Sequence, residues 1–113
     1  MQRARNIHPF WVLQVRHFIA QRFREKLSLS SIAADVQVHP AHLARTFHES
    51  FGYTIGAYIR SLRIEAAIQE LHCRKPVVEI ALDTGFYDQS HFHHVFKKYT
   101  GLTPTEYTRL KNL

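Results

Sequence analysis

Residues 80–107 read IALDTGFYDQSHFHHVFKKYTGLTPTEY and repeat an earlier part of the same chain. The earlier copy, residues 32–52, reads IAADVQVHPAHLARTFHESFG. Ile32-Ala33 recurs 48 positions later as Ile80-Ala81. The matches spaced by 49 positions are His42 with His91, Leu43 with Phe92, Phe47 with Phe96, Gly52 with Gly101, Thr54 with Thr103, Tyr58 with Tyr107 and Arg60 with Arg109. The chain is therefore built from two related units.

Each copy has the layout of a helix-turn-helix, in which a short helix buries its Ile-Ala pair and a turn leads into a second helix. The change in spacing from 48 to 49 puts one extra residue in the second copy, between Phe86 and Phe92, where a turn would accept it. Gly85 stands in this turn, where glycine adopts a positive φ without strain. Gln37 stands at the same place in the first copy, and a positive φ there would cost about 1 kcal/mol.

Apolar periodicity and helix-end signals predict about seven helices and no convincing strand. The predicted helices cover residues 9–26, 28–35, 40–50, 54–71, 77–84, 88–99 and 103–110. Ser28 is the expected N-cap of the second helix, and Lys75-Pro76 ends the longest one. The predicted fold is all-α and homeodomain-like, with two helix-turn-helix subdomains joined by a linker helix. Residues 1–113 form one domain in this interpretation, with units at 9–53 and 75–113 and the linker at 54–74.

The composition indicates a soluble, intracellular, α-rich domain. Hydrophobic residues make up 45% of the chain, which is enough for a core, and no apolar run approaches the ~20 residues of a membrane span. The single Cys73 excludes an internal disulfide and fits a reducing cytosol. The net charge of +6 favours a polyanionic partner such as nucleic acid, although solubility alone also explains a basic domain.

The two copies resemble the DNA-binding domain of AraC-type (AraC/XylS) transcription regulators, from about Pro9 to Leu110. The second copy carries the more specific match, with IA-x3-GF, then F-x3-FK, then G-x-TP-x2-Y, all within residues 80–107. The resemblance implies a cytoplasmic, nucleoid-associated bacterial regulator that binds double-stranded promoter DNA sequence-specifically. Its two recognition helices, about residues 40–50 and 88–99, would enter adjacent major-groove segments.

Outward side chains of a recognition helix are the candidates for base contacts. With Leu43 and Phe47 inward, the first helix offers Ala41, His42, Ala44 and Arg45. With Phe92 and Phe96 inward, the second offers Gln89, Ser90, His91, His93 and His94. Arg45 is the strongest candidate for a base contact, because a guanidinium binds guanine O6 and N7 together. Its alternative role is an ion pair with Glu49. His94 stands where the family often has Arg or Lys, which predicts weaker, pH-sensitive contacts from the second unit.

Phosphate contacts would position the domain without reading sequence. The candidates are Lys97 and Lys98 after the second reading face, Arg60 and Arg63 on the linker helix, and Thr54 and Thr103 at helix starts. Alternatively, the lysines are solvated surface residues, and the threonines cap helices; neither role requires DNA. Asp88 is the expected cap of the second recognition helix.

Neither a metal site, a cofactor nor a catalytic residue is predicted. His91 and His94 are one helical turn apart, but no further ligand stands at a diagnostic spacing, and the chain has no nucleophile elbow or phosphate-binding glycine loop.

The alternative function is a helical protein-interaction or structural module without DNA binding. AraC-type activators contact RNA polymerase, and an N-terminal effector or dimerisation domain is common among them, which leaves open whether the chain is a fragment of a longer regulator.

Overall fold

The computed structural model describes residues 8–112, and all regular structure among them is helical. The helices are α1 (Phe10–Arg22), α2 (Leu29–Asp35), α3 (Pro40–Phe51), α4 (Ile55–His72), α5 (Val77–Asp83), α6 (Gln89–Thr100) and α7 (Pro104–Lys111). The all-α prediction and its seven helices are confirmed. None of these helices is both long and apolar enough to cross a bilayer.

The predicted first helix was too long at its C-terminal end. α1 ends at Arg22, whereas the sequence predicted helix as far as Lys26. The backbone N–H of Glu25 donates to the Arg22 carbonyl at 3.0 Å, and this three-residue spacing is that of a tight closing turn and not of a continuing α-helix. The next helix then begins after Ser28, whose hydroxyl accepts the Ser31 N–H at 3.1 Å, so the predicted N-cap is confirmed.

The chain divides into two compact units, with the boundary between Ile59 and Arg60 inside α4. In the first unit α3 packs against α1 and α2. Leu43 and Phe47 are fully buried, as predicted for the inward face of α3. The other buried apolar side chains of this unit are Val12, Val15, Ile19, Ile32, Ala33, Ile55 and Ile59.

In the second unit α6 packs against α5 and α7 around one hydrophobic cluster. The cluster contains Ile64, Ala67, Leu71, Ile80, Ala81, Phe86, Phe92, Val95 and Phe96. Three of its rings touch in sequence, with centroids 5.1 Å apart for Phe86 and Phe92 and 5.5 Å apart for Phe92 and Phe96. These contacts hold the inward face of α6 against α5 and the preceding turn.

A left-handed residue shapes the turn inside each unit. Gln37 has a φ of 59° and Gly85 a φ of 96°, so the positive φ considered for Gln37 is confirmed. The next residue closes the turn in both units: Val38 N–H donates to the Ala33 carbonyl at 3.1 Å, and Phe86 N–H donates to the Ala81 carbonyl at 3.0 Å. The two turns are equivalent residue by residue up to this bond.

The extra residue of the second copy is Tyr87. Val38 and Phe86 make equivalent bonds at a spacing of 48, while the N-caps of α3 and α6, His39 and Asp88, are 49 residues apart. One residue must therefore lie between the closing bond and the cap in the second unit. Tyr87 occupies this place and is 87% exposed, so the insertion lies in a turn, as predicted.

α3 and α6, the two predicted recognition helices (called the reading helices below), each start with a side-chain cap and end at a left-handed glycine. His39 Nδ1 accepts the Ala41 N–H at 3.1 Å, and Asp88 Oδ1 accepts the His91 N–H at 2.7 Å, so the predicted role of Asp88 is confirmed. Gly52 and Gly101 follow with φ of 82° and 83°. Both helix ends are thus set by local chemistry.

Lys75, in the loop between α4 and α5, bonds to both of these helices. Its Nζ donates to Glu70 Oε1 at 2.9 Å and to Asp83 Oδ2 at 2.7 Å. The hydrogen bonds to Asp83 and, next, to Glu70 raise the pKa of Lys75. The loop, in which Arg74 has a φ of 61°, is thereby tied to the last turns of both helices.

We expect Gln37→Gly to raise the free energy of unfolding by about 0.5–1 kcal/mol, because glycine adopts a positive φ without the Cβ penalty. The matched variant Gly85→Ala should lower it by about 1–2 kcal/mol. Urea unfolding of both variants measures these changes. An unchanged or lower stability of Gln37→Gly would show that the turn does not strain the first unit.

We expect the stability advantage of the wild type over Glu106→Gln to disappear in acid. Thr103 N–H donates to Glu106 Oε1 at 2.9 Å, and this bond lowers the pKa of Glu106 below its ordinary value of 4.5. A lowered folded-state pKa stabilises the fold above pH 4.5, and this stabilisation is lost as the pH falls through the folded-state value. Melting temperatures of both proteins between pH 7 and 3 measure the difference. A constant difference across this range would contradict the charge-assisted cap.

Candidate nucleic-acid interface

The reading face of α3 is exposed as predicted. Ala41, His42, Ala44 and Arg45 all lie at the surface, while Leu43 and Phe47 face the core. The two alanines offer only a small apolar surface, which suits contact with a thymine methyl group. Of the four residues predicted to contact bases from this helix, His42 and Arg45 are the two with polar side chains.

Arg45 takes part in no ion pair within residues 8–112, and the alternative pairing with Glu49 is not formed. Its side chain is exposed near the middle of α3. A guanidinium in this state presents its full set of donors, in a fork that matches guanine O6 and N7. The arrangement is suited to a base contact.

His42 contacts a residue that the sequence did not single out. Its ring centroid lies 5.4 Å from that of Trp11 on α1, at an interplanar angle of 45°. Its Nδ1 lies 3.5 Å from Thr46 Oγ1, one turn further along α3. Helical periodicity predicts the Thr46 neighbour. It gives no signal for Trp11, because that contact joins two helices distant in sequence.

The reading face of α6 is exposed at four of the five predicted positions, Gln89, Ser90, His91 and His94. The fifth position, His93, was predicted to face outward, and this prediction is wrong for the tip of its imidazole ring. The ring nitrogen Nε2 is buried and has no hydrogen-bond partner among the described residues. At 3.6 residues per turn, position 93 lies about 60° around the helix from Phe96. His93 therefore stands at the edge of the buried arc, which is wider than Phe92 and Phe96 alone because Val95 is also buried.

The candidate phosphate ligands fall into two groups. Lys97 and Lys98 are exposed in the last turn of α6, and a phosphate contact by them stays a prediction. The hydroxyls of Thr54 and Thr103 act as helix caps, accepting the Ala57 N–H and the Glu106 N–H, each at 3.1 Å. The capping role of the threonines is thus observed, and a phosphate contact by them stays a prediction.

Arg60 and Arg63, the remaining phosphate candidates, are half-buried on α4. Burial, and to a smaller extent the charge of Arg60, lowers the pKa of Arg63. Two neighbouring cations repel each other, and a nearby phosphate would relieve that repulsion. Their placement agrees with a phosphate contact, which also stays a prediction.

Arg16 belongs to an aromatic cluster that the sequence did not reveal. Its guanidinium carbon lies 4.7 Å from the Phe51 ring centroid and 5.6 Å from that of Tyr58. Tyr53 and Tyr58 stack at 5.5 Å between their centroids. Arg16 of α1 therefore packs on aromatic side chains from the end of α3 and the start of α4, in a cation–π arrangement.

Among the described residues, no group of three or more His, Cys, Asp or Glu side chains is arranged to hold a metal ion. His91 packs instead against Phe86, with ring centroids 5.5 Å apart. Of the three histidines of α6, His91 and His94 are surface side chains, whereas His93 is partly buried.

Known proteins agree with this architecture. Residues 32–110 match the family model described as a helix-turn-helix domain. The bifunctional transcriptional activator/DNA repair enzyme AdaA of Bacillus subtilis is 34% identical over 104 residues, which are 91% of this chain and 49% of that protein. The C-terminal domain of AraT, a response regulator from Geobacillus stearothermophilus, superposes with a TM-score of 0.87 at 29% identity, over 92% of this chain and 88% of the other.

A transcriptional regulator from Chromobacterium violaceum, described by its AraC-type DNA-binding domain, superposes with a TM-score of 0.77 at 27% identity, over 89% of this chain and 91% of the other. The chain therefore belongs to the helix-turn-helix family and is an AraC-type DNA-binding domain of the kind found in transcription regulators. It spans about half the length of the Bacillus relative and smaller shares of several others.

We expect His93→Leu to raise the free energy of unfolding by about 1 kcal/mol, because it removes a buried ring nitrogen that has no partner. His94→Leu, at an exposed position on the same helix, is the matched control and should stay within about 0.5 kcal/mol of the wild type. Urea unfolding measures both. Destabilisation by His93→Leu alone would mean that the buried nitrogen is paired in solution.

Proposed function

We propose that this chain binds double-stranded promoter DNA sequence-specifically, as the DNA-binding part of a bacterial transcription regulator. The observation that carries the proposal is the duplicated reading helix. α3 and α6 each follow a left-handed turn, bury two phenylalanine or leucine side chains at equivalent positions and expose a polar face. A net charge of +6 supplies the attraction to a polyanion.

The proposed base contacts consist of one strong contact, made by Arg45, and several weaker contacts. Arg45 would bind guanine, and Ala41 and Ala44 would contact thymine methyl groups. Gln89 would bind adenine N6 and N7, with Ser90, His91 and His94 beside it. His93 leaves this set because its Nε2 is buried. The proposed phosphate contacts are those of Lys97, Lys98, Arg60, Arg63, Thr54 and Thr103.

The two units would use adjacent major-groove segments, with half-elements about one helical turn apart. In this proposal the domain acts by binding and carries out no reaction, in the cytoplasm and on the nucleoid. A regulator that activates transcription would also contact RNA polymerase. An effector or dimerisation domain would lie in the part of the longer relatives that this chain does not span.

Selection from random duplex DNA tests the proposal, and we expect it to yield a bipartite site. Arg45→Ala should weaken binding to the selected duplex by about 1–3 kcal/mol, which is about 5- to 150-fold, and relax the preference at one base pair. Quantitative binding to the selected and to a scrambled duplex, at several salt concentrations, measures both effects.

Lys98→Ala is the control for a contact that carries no sequence information. It should weaken binding to both duplexes about equally and reduce the salt slope by about 1. Equal affinity of the wild type for selected and scrambled DNA would rule out sequence-specific binding and favour the protein-interaction module.

A further inference from the structure

An aromatic ring supports the equivalent histidine of each reading helix. His42 and His91 are 49 positions apart in the two copies. His42 packs on Trp11 with centroids 5.4 Å apart, and His91 packs on Phe86 with centroids 5.5 Å apart. Trp11 comes from the first helix of its unit and Phe86 from the turn of its own, so the same contact is built from different parts of the fold.

The contact restricts a side chain that would otherwise move freely. His42 is exposed, and an exposed helical side chain samples several rotamers. The indole of Trp11 lies on one side of its ring, and Thr46 Oγ1 lies 3.5 Å from its Nδ1. Together the two neighbours restrict the ring orientation, and Nε2 has no hydrogen-bond partner within residues 8–112.

Trp11 is itself held in place within the first unit. It is half-buried and lines a groove of about 300 Å³ together with Phe18, Ile32 and Val36. One part of the indole is therefore covered by the first unit, in which α1 packs against α3, and another part faces the open groove. This partial burial restricts the indole beside His42.

We propose that Trp11 is a positioning residue for DNA recognition, which holds the His42 imidazole so that Nε2 meets an acceptor on a base edge in the major groove. The proposal rests on the DNA-binding function proposed above. A side chain ordered before binding avoids the loss of rotamer freedom on binding, which amounts to about a two- to tenfold gain in affinity for one such side chain. Phe86 would serve His91 in the same way.

A double-mutant cycle tests the positioning role, using the duplex recovered by selection. Trp11→Ala should lower affinity for this duplex by about two- to tenfold, and His42→Ala should lower it at least as much because it also removes the base contact. The double variant should bind no more weakly than His42→Ala alone, because the support has no effect once its histidine is gone. Trp11→Phe, which keeps an aromatic ring, should retain most of the affinity.

The His91→Ala background is the matched control, since Trp11 packs on His42 of its own unit and His91 packs on Phe86. There the effect of Trp11→Ala should persist in full. Losses from Trp11→Ala and His42→Ala that add in the double variant would overturn the proposal and leave Trp11 with a packing role. Thermal unfolding of each variant accounts for any loss of folded protein.

Fluorescence of the free protein separates a failure of this inference from a failure of the proposed function. Trp11 is the one tryptophan in the sequence, so its emission should change in His42→Ala and stay unchanged in His91→Ala. Unchanged emission in His42→Ala would overturn the contact itself. A wild-type protein that prefers no duplex, yet shows this emission change, would refute the DNA-binding function while the contact stands.

Discussion

The direction of each reading helix depends on one backbone residue with a positive φ. Gln37 and Gly85 turn the chain sharply after α2 and α5, and the next amide bonds back to the preceding helix, at Ala33 and Ala81. This closure leaves the chain little freedom before α3 or α6 begins. The inward residues, the caps and the exposed face all follow from the angle that this turn sets. The first unit accepts a strained glutamine there, which shows that the geometry is kept even where the side chain does not favour it.

The sequence was sufficient for most features that depend on neighbouring residues, although it placed the end of α1 at Lys26 instead of Arg22. Helix positions followed from apolar spacing and from caps such as Ser28 and Asp88. The positive φ in the turn of the first unit followed from the alignment of Gln37 with Gly85. Features that depend on contacts between distant helices could not be derived. The burial of Val95 and of His93 Nε2 depends on how wide a face α6 buries, and the Trp11–His42 contact depends on the packing of α1 against α3. Periodicity identifies the centre of a buried face but not its edges.

The two copies share a backbone plan while their functional chemistry differs. The first has the imidazole of His39 as the cap of α3, and the second has the carboxylate of Asp88 as the cap of α6. The first exposes Arg45, whereas the equivalent position of the second holds His94. A phosphate is attracted less by a helix start that carries a carboxylate than by one that does not. Both differences support the prediction that the first unit makes the stronger DNA contacts, while the second copy has a glycine at the positive-φ position of its turn.

Tyr87 has a consequence for attempts to redesign this domain. It lengthens the connection between the closing bond and the helix cap by one residue in the second unit only. The reading helices therefore begin after connections of different length, and residues matched by sequence need not occupy matched places against a DNA groove. Replacing the exposed side chains of α6 with those of α3 would transfer the residue types without the turn length that determines where the helix begins. A working graft between the copies has to carry the turn together with the helix.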